Sequence, residues 1–129
     1  MSRVVLSPPN AILFVFDPTN KAVVIPPYVD GELTAATASC VSVGTRADVD
    51  GDTVVSLETA LVAPSNVQQV FFGAIATPGG KVAVVTSQFQ RVLETDVPAE
   101  AAEIAIWADD IRNPTQVTVG VKPRHRTEG

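Results

Sequence analysis

The sequence predicts an all-β protein: an antiparallel β-sandwich of about eight strands, in a single domain, with at most one short helix. Three observations carry that prediction. Short β-branched runs recur along the whole chain, Pro and Gly sit between them, and no stretch sustains a helical period. The 129 residues are 46% hydrophobic and 18% charged, the balance of an ordered globular chain. A chain of this length can bury roughly two-thirds of its unfolded surface in one core.

The runs follow one another in order. AILFVF closes at Asp17-Pro18, and KAVVI closes at Pro26-Pro27. SCVSVGTRADV leads to Asp50-Gly51, and DTVVSLETALV then reaches Pro64. VQQVFFGAIAT stops at Pro78-Gly79-Gly80, after which KVAVVTSQFQRVL runs towards Pro98. AEIAIWA and QVTVGV complete the set. Proline cannot serve a central ladder, so its position at run ends supports these boundaries. Val41/Val43, Val82/Val84 and Val117/Val119/Val121 repeat with period two, which predicts one buried and one solvated face on each strand. The stretch VPAEAAEIAIWADD has both helical and strand character. Its Ala and Glu content suits a short helix from Pro98, while Ile104 and Ile106 favour a turn at 98–101 and then a strand.

Charge narrows the function. The net charge is −5, and residues 1–121 alone carry six basic against thirteen acidic side chains, a net of −7. An acidic body repels nucleic acid, whose phosphates need clustered Lys and Arg, so no nucleic-acid partner is expected. Residues 122–129, KPRHRTEG, read as a basic flexible tail following a domain of residues 1–121. No apolar run approaches the ~20 residues that span a bilayer, so no membrane partner is expected. The opening MSRVVLSPPNAILFVF is interrupted by Pro8 and Pro9 and lacks a small-residue cleavage site, which predicts a cytoplasmic protein.

The densest acidic stretch is DVDGDT, residues 48–53. A calcium loop of the helix-loop-helix type needs Gly at its sixth position and Glu at its twelfth, but counting from Asp48 these are Thr53 and Thr59. Asp50-Gly51 instead predicts the tip of a two-residue hairpin, since both residues tolerate positive φ. Pro78-Gly79-Gly80-Lys81 reads in the same way as a turn between strands, with neither the helix nor the GK[ST] of a phosphate loop.

No metal, cofactor or catalytic set is expected. Cys40 is the single cysteine and His125 the single histidine, too few for a zinc site, and Cys40 reads as a small buried hydrophobe. No S-x-x-K, G-x-S-x-G or H-x-x-H pattern occurs, and His125 lies in the tail without an orienting carboxylate. Asp109 and Asp110 are adjacent and would point to opposite faces of a strand, closing it rather than sharing a site. A deep pocket lined by several of Asp17, Asp30, Asp109 and Asp110 is what an acid-base enzyme would require. Of Phe71 and Phe72, one should face outwards and mark a contact surface.

The order of elements resembles a family of small all-β bacterial proteins related to competence protein J, the inhibitor of a DNA-entry nuclease. The resemblance spans about residues 14–121. It rests on an early FVFDPT strand, DGELTAA entering CVSVGTRADVDGDTVVSLE, then VFFGAIATPGGKVAVVTSQ, and TDVPAEAAEIAIWAD before the last strand. The chain keeps Pro98 at the bend but has Glu100 to Ala102 there, and Phe71-Phe72-Gly73 where the family has Pro-Phe. What the resemblance implies is a sandwich fold, no active-site motif, and a role in blocking a partner.

The resulting expectation is a non-enzymatic, acidic binding protein, an inhibitor of or adaptor for another protein with a basic surface. Its expected contact residues are Asp48, Asp50, Asp52, Phe71, Phe72, Asp109 and Asp110. The alternative is a structural assembly protein that forms homo-oligomers through an apolar sheet face or strand edge such as VFFGAIAT.

Overall fold

The structure, a computed structural model, describes residues 2–29 and 31–124. Ten strands are present among them: β1 (Ser2–Leu6), β2 (Ile12–Phe16), β3 (Thr34–Ala36), β4 (Cys40–Gly44), β5 (Thr53–Glu58), β6 (Gln68–Ala76), β7 (Lys81–Thr86), β8 (Arg91–Asp96), β9 (Ala101–Ala108) and β10 (Gln116–Arg124). Two five-stranded sheets form, one in the order β1-β5-β10-β9-β6 and one in the order β3-β4-β2-β7-β8. All pairs are antiparallel except β5 with β10, which run parallel. The sandwich is therefore as expected, with ten strands in place of about eight. Two 3-10 turns, Pro9–Ala11 and Asp48–Asp50, are the helical pieces.

Between the sheets lies the main core. Leu13, Val15, Val41, Val43, Val82 and Val84 meet Val55, Leu57, Ile75, Ile104, Ile106, Val117 and Val119, nearly all fully buried. Each β-branched or leucine side chain moved from water to this layer contributes about 1.5–3 kcal/mol, which sets the pairing register.

The expected solvated faces are corrected on the central strands, which are buried on both sides. On the outer face of one sheet, Phe14, Phe16, Cys40, Ala83 and Val85 form a second cluster, packed under Ile12, Val23 and Ile25. KAVVI, expected as a strand, is this cover. Its backbone bonds side chains instead of a ladder: Val24 N–H donates to Ser39 Oγ (2.8 Å), and Thr37 Oγ1 donates to Val24 O (2.6 Å). On the other sheet Trp107 lies over Gly120, where an added Cβ would stand 2.9 Å from the indole and 2.7 Å from Ala60 O.

Both expected hairpins are likewise corrected. β4 and β5 belong to different sheets, as do β6 and β7, so DVDGDT and Pro78-Gly79-Gly80 are crossings between layers. The positive φ expected at Gly51 is present (+117°), and Gly80 has +74°. The run KVAVVTSQFQRVL is instead a true hairpin, folded at residues 87–90 with neither Gly nor Pro. Residues 101–108 are strand, not helix. β10 continues to Arg124, past the boundary expected at residue 121. Its pairing with β5 ends at Gly120, so Pro123 stands where one side of the strand carries no ladder and a missing N–H costs least. His125 and the residues after it lie outside the described residues.

Cys40 is buried, and that burial pushes its thiol up to about 12 against a weaker opposing bond from Val15. No helix among the described residues is long and apolar enough to cross a membrane.

Candidate functional site

The strand directions gather four connections at one end of the sandwich: residues 7–11, 45–52, 87–90 and 109–115. Leu6 pairs with Thr53, Gly44 pairs with Ile12, Thr86 with Leu13, and Ala108 with Val117. Printed in order along the chain these segments are remote, yet hydrogen bonds join them into a row. Ser87 Oγ donates to Pro9 O (3.2 Å) and accepts from Asn10 Nδ2 (2.9 Å). Thr45 N–H donates to Ala11 O (2.9 Å), and Ser7 Oγ donates to Asp52 Oδ1 (2.6 Å). Arg46 N–H donates to Pro114 O (3.2 Å).

Within the row, each loop is held by its own polar residues. Arg46 folds over the Gly51 turn, donating from Nε (2.9 Å) and Nη2 (2.5 Å) to Asp52 O. A Cβ at Gly51 would stand 2.7 Å from that guanidinium, so both φ and space call for glycine there. Asp109 Oδ1 accepts from the N–H groups of Thr115 (2.9 Å) and Gln116 (3.0 Å), and its other oxygen accepts from Thr115 Oγ1. Desolvation raises the Asp109 pKa, but the Thr115 and Gln116 bonds to the ionised form outweigh it and hold the carboxyl below its usual 3.8. Asp110 Oδ1 accepts from Arg112 N–H (2.8 Å) and Asn113 N–H (3.3 Å), the cap of a tight turn.

The structure thus brings together the loops of Asp48, Asp50, Asp52, Asp109 and Asp110. These two loops also hold Arg46 and Arg112, five acids against two bases. Among the described residues the ion pairs lie on the β7–β8 hairpin, between Lys81 and Glu94 or Asp96 and between Arg91 and Glu94. Among the described side chains, those of Asp50, Asp52, Asp109 and Asp110 in the row therefore have no ion-pair partner. Exposed apolar side chains stand among them: Val49 (88% exposed), Phe89 (66%) and Ile111 (52%). Sequence reading missed these three. A lone apolar residue in a polar loop carries no periodic signal, and TSQFQ shows no Gly or Pro to mark it as a turn.

Phe71 and Phe72 are not part of the row. They sit midway along the edge strand β6, Phe71 packed on the main core and Phe72 outward and 55% exposed. Beside Phe72 a shallow hollow of about 220 Å³ is lined by Gly73, Ala74, Glu103 and Arg124. It contains none of the carboxylates named for an acid-base site. Asp17 is far from Asp109 along its sheet's other end and is buried, fully engaged by Thr19 N–H (2.8 Å), Thr19 Oγ1 (2.7 Å) and Gly79 N–H (2.7 Å). Asp30 lies outside the described residues.

No family model matches the sequence, and no curated protein matches it. The fold is similar to the crystal structure of ComJ, inhibitor of the DNA degrading activity of NucA, from Bacillus subtilis. The TM-score is 0.67 at 14% sequence identity, with 96% of each chain covered. The chain has a ComJ-like fold, consistent with the resemblance carried by its sequence motifs.

Proposed function

We propose that this chain is a non-catalytic binding protein that inhibits or escorts another protein, docking through the row of loops at 7–11, 45–52, 87–90 and 109–115. The observation that carries the reading is the concentration there of the Asp50, Asp52, Asp109 and Asp110 carboxylates, without ion pairs among the described residues, around exposed Val49, Phe89 and Ile111. A polar, charged rim around a few apolar side chains is the anatomy of a protein contact, and the excess of acid suits a partner with a basic surface. The ComJ-like fold supports the inhibitor form of the reading, ComJ itself being described as an inhibitor of the DNA degrading activity of NucA.

The direct test adds the purified chain to NucA degrading duplex DNA, at low and at high salt. Inhibition that fades as salt rises is expected, because steering by unpaired surface charge is screened within a Debye length. Full nuclease activity at low salt would remove the nuclease as a partner. A pull-down from lysate that retains no basic protein at low salt would remove the charge argument as well.

A second reading has its own observation. Phe72 stands exposed at the β6 edge beside Glu103 and Arg124, an acid and a base on one patch, which a two-fold copy could match to itself. Light scattering decides: a strict monomer at high micromolar concentration excludes homo-oligomer assembly.

A further inference from the structure

Phe89 differs from the other exposed apolar residues in its backbone. The β7–β8 hairpin turns with Phe89 N–H donating to Thr86 O (2.9 Å) and Thr86 N–H donating to Gln90 O (2.9 Å). Thr86 Oγ1 also accepts from Gln88 and Gln90 N–H (both 3.3 Å). That geometry places Phe89 at φ +61°, the left-handed region. Hairpins of this kind reserve the position for Gly or Asn, because a Cβ there is strained. Among the described residues the other non-glycine positions at positive φ are Asn10, Asn66 and Ala11, so Phe89 is the one large apolar side chain in that set.

The ring gains little burial from the fold to offset this. It is 66% exposed and belongs to neither apolar cluster. Single exposed hydrophobes are ordinary and need no explanation. A strained one, held out on a turn whose backbone, Thr86 and Ser87 are tied by hydrogen bonds, is a different observation. The turn is braced: Ser87 is bonded to Pro9 and Asn10, and Thr86 caps the loop with four bonds. It also carries no charge of its own, while the row beside it is acidic.

We propose that Phe89 is a preorganised anchor that enters an apolar socket, bordered by basic groups, on the protein partner. The inference rests on the docking role given to the loop row and adds the residue that dominates it. An aromatic ring carried on a backbone held in advance loses little chain freedom on binding, and such rings at the centre of a contact hold most of its free energy. A membrane is the less suited target, because the row's carboxylates are repelled by anionic headgroups.

The test separates fold from contact. Phe89→Asn relieves the backbone without glycine's added chain entropy, so its unfolding midpoint should rise by about 2–4 °C. Benzoylphenylalanine in place of Phe89, Val49, Ile111 or Val24 is then photolysed in extract of the producing cells at low salt. The first three positions should form adducts with the same basic protein and Val24 should not. Unlabelled wild-type chain should compete these adducts away, and Phe89→Asn should compete about ten-fold less well or worse. Equal competition by Phe89→Asn, or a fall in its midpoint, overturns the anchor while leaving the docking role standing. Absence of protein adducts from positions 49, 89 and 111 overturns both. Adducts with lipid, or with a second copy of the chain, overturn the proposed socket.

Discussion

The two ends of this sandwich use the same chemistry for opposite purposes. At the end opposite the loop row, Asp17 is fully buried and ties the 17–19 turn to Gly79. Around it, Thr77 N–H donates to Glu100 O (2.7 Å), Thr77 Oγ1 to Ala99 O (2.8 Å) and Val97 N–H to Gly80 O (2.8 Å). Val97 and Thr77 are buried with it. At the row, Asp109 and Asp110 bond backbone N–H groups in a similar way but stand exposed to water. A carboxylate that caps a turn stabilises greatly when its donors have no other partner, and little when water can replace it. One end is a polar knot that closes the fold, and the other is a surface kept open.

The contrast is sharpest in the knot. Asp17→Ala removes a fully buried carboxylate together with its bonds from the Thr19 and Gly79 N–H groups and should cost about 3 kcal/mol, read by urea denaturation. A loss below about 1 kcal/mol would mean that water enters this end, and the contrast would fail. Gly79→Ala should follow at about 2 kcal/mol, since the new Cβ would land 1.5 Å from Thr19 Oγ1 and 3.1 Å from Asp17 Oδ2. In the row, the largest effect is expected at Gly51→Val, about 1 kcal/mol or somewhat more, because φ +117° and the Arg46 guanidinium both oppose a side chain.

Smaller effects come from the row's acids. The Asp109 carboxyl is held below its ordinary value, so its contribution is complete above pH ~3.8 and is lost as pH falls through the lower folded value. Acid titration of stability should therefore be shallower in Asp109→Asn than in the parent below about pH 4. An identical slope would show that Thr115 and Gln116 do not select the ionised form. Asp50→Asn and Asp52→Asn should change stability by no more than about 0.5 kcal/mol while weakening the salt-dependent contact, measured by thermal unfolding beside the nuclease assay.

How much of this was legible beforehand varies with the range of the signal. Seven of the ten strands follow from apolar runs bounded by Pro and Gly, because residues 40–44 or 116–121 state their own period. KAVVI misleads for a tertiary reason: Val23 and Ile25 are as apolar as any strand, but Ser39 and Thr37 satisfy the backbone at Val24, and the run becomes a cover. The hairpin at 87–90 was hidden because its turn is built from Thr86 side-chain bonds and a strained Phe89, with no glycine to announce it.

By itself the sequence determined the all-β class, the strand-forming runs, the acidic body and the positive φ at Gly51, since each depends on a residue and its near neighbours. Only the tertiary structure decided which strands share a sheet. Asp50-Gly51 and Gly79-Gly80 are turns under either arrangement, and local turn chemistry does not say whether the next strand pairs with the last or crosses to the other layer. That choice belongs to the core, where burying Leu13, Val43, Val55 and Val84 between two sheets outweighs the hairpins that adjacent strands would otherwise form. The same crossing gathers residues 45–52 and 109–115 at one end, joined by Arg46 and Pro114. Two acidic loops nearly sixty residues apart become one surface because the core, not the loops, sets where strands end.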